Sequence, residues 1–235
     1  MAETPITVFS FPTADDVQPG PFCLKLEVWL KMAGLPFTVA RATDPRKAPG
    51  GKIPYARLGD ELVGDSARII ERLRRAHGVT LDDGLSDEQR GRALAITRLV
   101  EDHFYFILVY ARWLDDAVWP RLRQGFFGRL PAPLRWFIPE MARRNVAEQL
   151  RQQGTARRAP EEIYAAAEDD LSALAGLLGD QPWFLGDQPR SVDAAVYGQI
   201  GTALFHPLET RLKPMIEQHD NLVAYAGRMR EAYGT

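Results

Sequence analysis

Lys52-Ile53-Pro54-Tyr55, followed eleven residues after its proline by Asp65-Ser66, is the stretch that decides how this chain folds. A strand that opens on proline cannot donate a ladder hydrogen bond there, so that edge stays open to another partner. Asp-Ser heading the amphipathic segment 66–77 sets a hydroxyl and unpaired backbone N–H groups at the positive end of a helix dipole. Together the two predict a cradle for an extended peptide that carries a free carboxylate.

Upstream, Ile6 to Phe11 is short, β-branched and aromatic, a buried strand stopped by Pro12. Thr13 to Gly20 is loop, and Pro21 suits the first turn of a helix running to about Ala33. Leu26, Leu30 and Ala33 share one face of it with Cys23, and Gly34 is its C-cap. Phe37 to Ala40 is a second strand, and the β–α–β order predicts a parallel pair. Thr43 to Gly51 is irregular. Gly59-Asp60 between Tyr55–Leu58 and Glu61–Val63 signals a tight hairpin. A helix from Ser66 to about His77 closes at Gly78. Residues 1–78 therefore read as a small thioredoxin-like α/β domain.

Downstream the texture changes. Ser86-x-x-Gln89 is a capping box that opens a long helix through Leu94, Val100, Phe104, Ile107, Ala111 and Leu114, stopped by Pro120. Further helices are expected within Leu130–Gln153, from Pro160 to Leu178, from Val192 to Phe205, and from Asn221 to Gly234. No strand pattern follows residue 80, so 85–235 read as an all-helical domain.

Composition bounds the function. With 235 residues and 46% apolar side chains, the chain can bury a substantial core, and a net charge of −2 gives no field directed at nucleic acid. The balance hides an asymmetry: residues 121–158 carry nine arginines against Glu140 and Glu148, a net of +7, whereas 159–235 net −7. Cys23 is the only cysteine, so no intrachain disulfide or Cys-x-x-Cys redox pair exists, which fits a reducing compartment. The four histidines lack ligand-like spacing, so no metal site is expected. The N-terminus does not read as a signal peptide, and the longest apolar run, Phe104 to Ala111, is too short for a transmembrane segment. The expectation is a cytoplasmic protein.

Four blocks in this order resemble the glutathione S-transferase superfamily over nearly the whole chain: Pro21–Glu27 with Gly34-Leu35-Pro36-Phe37; Gly51-Lys52-Ile53-Pro54; Gly64-Asp65-Ser66-Ala67-Arg68-Ile69-Ile70-Glu71; and Gly186–Ala194. The insert Gln152–Tyr164 is similar to the Fax (failed axon connections) and metaxin-like branch. The resemblance implies an α/β thioredoxin-like N-terminal domain followed by an all-α helical bundle, with glutathione as co-substrate. Pro54 matches the family's cis proline, Ile53 the residue whose backbone pairs with glutathione's cysteinyl part, and Asp65 with Ser66 the pair that receives its γ-glutamyl group. Lys52 adds positive charge beside them.

The thiolate is the difficulty. Related enzymes hold it with a Tyr or Ser hydroxyl, and others use a Cys three residues before the place of Cys23; here that place is Gly20. The remaining candidates are Ser10 at the end of the first strand, Thr13 in the next loop, or backbone N–H groups heading the Pro21 helix. Tyr105, Phe106, Tyr110 and Trp113 on the long helix are candidates to wall a second-substrate pocket for a small apolar molecule. The family also implies a homodimer. Two functions follow: a glutathione transferase, or a related peroxidase or reductase, against a non-catalytic interaction module. Gly20 and the basic segment with Phe126, Phe127, Trp136 and Phe137 favour the module.

Overall fold

The computed structural model of the chain describes residues 5–14, 17–128 and 130–234. Four strands, β1 (Ile6–Ser10), β2 (Thr38–Arg41), β3 (Tyr55–Leu58) and β4 (Glu61–Gly64), form one sheet in the order β2-β1-β3-β4. β1 and β2 are parallel, with Val8 beside Val39, as the β–α–β order requires. β3 is antiparallel to β1 and β4, with the Gly59-Asp60 turn closing the hairpin. Helix α1 (Pro21–Met32) makes the crossover, and α2 (Ser66–His77) follows β4 and ends at Gly78 in the left-handed region, φ 61°.

After α2 every regular element among the described residues is helical. Ser86 caps α3 (Asp87–Arg98): its Oγ accepts from Gln89 N at 3.2 Å, and Gln89 Oε1 accepts from Ser86 N at 3.0 Å. The helix continues through a π-helical turn, Leu99–Phe104, into α4 (Tyr105–Trp113). Then come α5 (Trp119–Phe127), α6 (Leu134–Gln153), α7 (Pro160–Leu178), α8 (Ser191–Phe205), α9 (Leu212–Glu217) and α10 (Asp220–Tyr233). Two of these, α5 and α9, are absent from the sequence reading. Pro120 does not end the long helix; it sits in the first turn of α5, where its missing N–H has no cost.

The two parts share one hydrophobic core, with Leu26, Trp29 and Leu30 of α1 and Val196 and Ile200 of α8 all fully buried in it. Gly198 permits this: a Cβ there would stand 2.6 Å from Pro21 O and 3.0 Å from Lys25 Cβ. A buried ion pair crosses the same seam, Lys25 Nζ to Glu101 Oε1 at 2.5 Å, with side chains 7% and 10% exposed. Glu101 belongs to the π-helical turn.

The start of α8 departs from a plain capping box. Asp193 Oδ2 accepts from Arg190 N at 2.8 Å and Oδ1 from Phe184 N at 3.1 Å. Arg190 supplies no cap of its own. Its guanidinium instead donates to Leu81 O at 2.7 Å and Asp83 O at 3.0 Å, holding the segment that connects α2 to α3. Trp29 Nε1 donates to Ser191 Oγ at 2.9 Å, which ties α1 to the same corner. Among the described residues one ion pair links the basic segment 121–158 to the acidic segment 159–235: Arg121 and Glu209 approach to 3.7 Å, both about two-thirds exposed.

Candidate functional site

β3 enters the sheet only at Tyr55, paired with Phe9 on one side and Gly64 on the other. The Ile53-Pro54 bond is cis, and the N–H and C=O of Ile53 lie beyond the ladder, on the half-buried residue just before it. The preceding loop is held over β4 by Gly64, where a Cβ would meet Pro49 O at 2.2 Å. Lys52 is exposed at its rim. Across from it, Asp65 adopts φ 73° and ψ 122°, an uncommon backbone for a residue with a side chain. Its Oδ1 accepts from Arg68 N at 3.0 Å, so Asp65 is an N-cap. Ser66, the first residue of α2, is 4% exposed. The structure therefore gathers a backbone edge and a capped helix head at the two ends of the β3–β4 hairpin. That is the arrangement an extended peptide with a carboxylate end requires. A recess of about 430 Å³ lined by Met32, His77 and Arg190, among others, shares no residue with this cradle.

Where a thiolate-holding group is needed, Ser10 is withdrawn. β1 alternates, and Ser10 falls in phase with buried Ile6 and Val8, fully buried itself. Its hydroxyl points at the Cys23 thiol and the Glu27 carboxylate without making a well-formed hydrogen bond. Thr13 remains half-buried in the loop. Gly20 is closed: a Cβ there would lie 3.0 Å from Cys23 Sγ and 3.0 Å from Phe11 Cδ2. Its N–H is already committed to Gln18 Oε1 at 3.2 Å, and Gln18 Nε2 donates to Glu27 Oε1 at 3.1 Å. Burial drives the Cys23 thiol up to about 12, so this cysteine stays protonated and is no nucleophile. Burial raises Glu27 as well. What the first turn of α1 still offers is its own N–H groups at Phe22 and Cys23, for Pro21 has none.

The aromatic candidates divide. Tyr105 meets Phe22 edge-on at 4.8 Å and so covers the head of α1, with Phe106 edge-on to Tyr105 at 5.2 Å. Tyr110 turns instead to Tyr164 at 6.1 Å, and Trp113 joins Trp119, Phe126 and Phe127 beside α5. Helix geometry is the reason: Tyr110 is rotated by about 140° from Tyr105, and Trp113 lies about 12 Å further along the axis. Of the four, Tyr105 is the one that packs on α1.

Arg112 is the residue the sequence reading missed. Its side chain is buried and donates to Pro19 O at 2.7 Å and Thr202 O at 2.8 Å, which pins the loop before α1 to α8. Both partners are carbonyls, and burial lowers its pKa to about 10. A cation held on the carbonyl of Pro19, two residues before Pro21, adds positive potential to that of the helix head. It also acts on Tyr105, whose phenol is raised by burial but drawn back by Arg112. An arginine inside the apolar run Phe104–Trp113 was the available signal. Among the described residues no group of three His, Cys, Asp or Glu side chains is placed to hold a metal.

Comparison with known proteins identifies the family. Residues 21–118 match the glutathione S-transferase N-terminal domain, and 167–229 match the glutathione S-transferase C-terminal domain. The isoprene-epoxide–glutathione S-transferase of Rhodococcus sp. (strain AD45) is 33% identical over 238 residues, 97% of this chain and 99% of that protein. Human Metaxin-2 is 27% identical, covering 89% and 81%, and failed axon connections of Drosophila melanogaster is 27% identical, covering 90% and 53%. Among solved structures, a glutathione S-transferase of Methylobacterium radiotolerans in complex with glutathione sulfonate shares the fold, with TM-score 0.60 and 21% identity over 97% of this chain and 91% of that one. Identity of one third across nearly the full length, with both domain families matched in order along the chain, shows that the chain belongs to the glutathione S-transferase family.

Proposed function

We propose that the protein is a glutathione transferase that joins the tripeptide's sulfur to a small apolar electrophile. The observation that carries this is the cradle: an unpaired backbone edge at Ile53 facing the Asp65-Ser66 helix head across one hairpin. Glutathione's carboxylate end would sit on Ser66 and the first N–H groups of α2, with its middle along Ile53. Its sulfur would then lie at the head of α1. A free thiol titrates near 8.5, and anything that favours the thiolate raises the reactive fraction at neutral pH. Three groups do so: the α1 amides, the buried Arg112 charge, and the Tyr105 hydroxyl as hydrogen-bond donor. The thiolate attacks an electrophilic carbon, a C–S bond forms, and the bond to the leaving group breaks. With an epoxide, that leaving group is the ring oxygen, which takes a proton. The Rhodococcus relative's name makes an epoxide the first electrophile to test.

A second reading, an interaction module that keeps the cradle without turnover, is favoured by the closed position 20 and by likeness to Metaxin-2 and failed axon connections. Calorimetry and turnover separate the two. Wild type should bind glutathione and conjugate both an aliphatic epoxide and a chloronitrobenzene. Ser66→Ala should weaken glutathione by roughly tenfold or more, the value of a hydrogen bond to a charged group. Binding without turnover would select the module. No binding to folded protein at millimolar glutathione would end both.

A further inference from the structure

The large apolar side chains that face solvent are not scattered. Five of the eight exposed ones among the described residues, Phe126, Leu134, Trp136, Phe137 and Met141, come from the α5–α6 hairpin, with Phe137 69% and Met141 59% exposed; the other three are Val39, Leu62 and Leu94. On α6 the buried line runs through Pro139 and Leu150. Leu134, Phe137 and Met141, at spacings of three and four, form a stripe on the opposite side of that helix. An amphipathic helix normally turns its apolar stripe inward; this one has a second stripe turned out.

Arginines outnumber carboxylates around it, where Glu140 and Glu148 are the acidic residues of α6. Arg135 and Arg144 are exposed, and Arg123 donates to Arg135 O at 3.4 Å, its nearest carboxylate being Glu140 at 3.7 Å. Between α5 and α6 a recess of about 260 Å³ is lined by Arg123, Arg135, Trp136 and Phe127. Two guanidinium groups beside an indole suit a phosphate with an apolar tail attached. Segment 121–158 as a whole nets +7. A second copy of the chain on this face would bring arginine against arginine, which disfavours self-pairing.

We propose that the outward face of the α5–α6 hairpin docks on an anionic phospholipid bilayer. Leu134, Phe137 and Met141 enter the headgroup–acyl boundary, while Arg144 on the flank of the stripe and Arg123 and Arg135 in the recess toward α5 take lipid phosphates. The helix lies in the membrane plane; none among the described residues is long and apolar enough to cross it. This does not depend on the transferase reading.

The test is sedimentation with vesicles of phosphatidylcholine alone and with about 30% phosphatidylserine, at low and high salt. The protein should pellet with the anionic vesicles, and less so at high salt. Phe137→Ser with Met141→Ser should weaken partition at least tenfold, and Arg135→Gln and Arg144→Gln roughly fivefold each. All four side chains are exposed, and an unchanged melting curve shows that the variants fold. Failure to pellet at millimolar anionic lipid overturns the proposal. So does equal partition into neutral vesicles, or a Phe137-dependent dimer in the ultracentrifuge that ignores lipid.

Discussion

Gly20→Ser is the sharpest probe of how this protein handles a thiolate. Serine at this place would restore the hydroxyl that relatives of the Ser class carry, so an open site should gain activity. The structure predicts the reverse. The new Cβ would stand 3.0 Å from both Cys23 Sγ and Phe11 Cδ2. Ordinary contacts are about 3.5–4.0 Å, so each is short by about 0.5–1 Å. Phe11 is half-buried and can swing, but Cys23 is 1% exposed on a helix packed against α8. Overpacking of this kind costs about 1–3 kcal/mol. Urea unfolding followed by tryptophan emission would measure it. Cys23→Ala removes the sulfur while keeping the Cβ, 3.4 Å away, so in that background Gly20→Ser should cost at least ~1 kcal/mol less. That difference is the coupling energy of a double-mutant cycle. The reasoning is refuted if Gly20→Ser is within about 0.5 kcal/mol of wild type and raises turnover. Position 20 would then be open to ligand and the account of the thiolate wrong.

Further expectations follow from the same coordinates. Tyr105→Phe should lower kcat for conjugation by about tenfold or more with glutathione affinity little changed, and should move the pH–rate profile upward as the thiolate loses a donor; an unchanged profile removes Tyr105 from the chemistry. Glu101→Gln leaves Lys25 charged and buried at the α1 seam, so unfolding free energy should drop by about 3–5 kcal/mol, whereas an apolar replacement of both partners should recover much of it. Asp193 is pushed up to about 6 by burial. The folded state therefore holds this proton more tightly than the unfolded one, in which it leaves near 3.9. Its contribution to stability is full below about pH 4 and is lost as pH rises through 6, a change of about 3 kcal/mol. Asp193→Asn cannot titrate, so the stability gap between wild type and variant should widen as pH falls from 7 toward 4. A gap independent of pH would contradict the burial argument.

How much of this was legible beforehand depends on whether the signal was local. The β–α–β order, the Gly59-Asp60 hairpin, the Ser86/Gln89 box and the Ser66 helix head rest on residues within a few positions of one another, where steric and capping preferences act directly. Ser10 is also legible, against its candidacy as a thiolate holder: its parity with Ile6 and Val8 turns it inward, and the strand period alone says so. Pro120 was read as a stop because proline ends one helix and opens another with equal ease, and only the packing of α5 on α6 selects between them. Placing Tyr110 and Trp113 with Tyr105 ignored the rotation and rise of their own helix.

By itself the sequence determined a sheet-bearing first part, a helical remainder, and a cradle whose two ends are joined by one hairpin, because each is coded by neighbours along the chain. Tertiary structure alone decided what holds the α1 head. Arg112 reaches Pro19 across 93 positions, Tyr105 covers Phe22 from another helix, and Gly20 is shut by Phe11 and Cys23. Such contacts are chosen by the way whole helices pack, and that depends on the shape of the entire core rather than on any short run of residues.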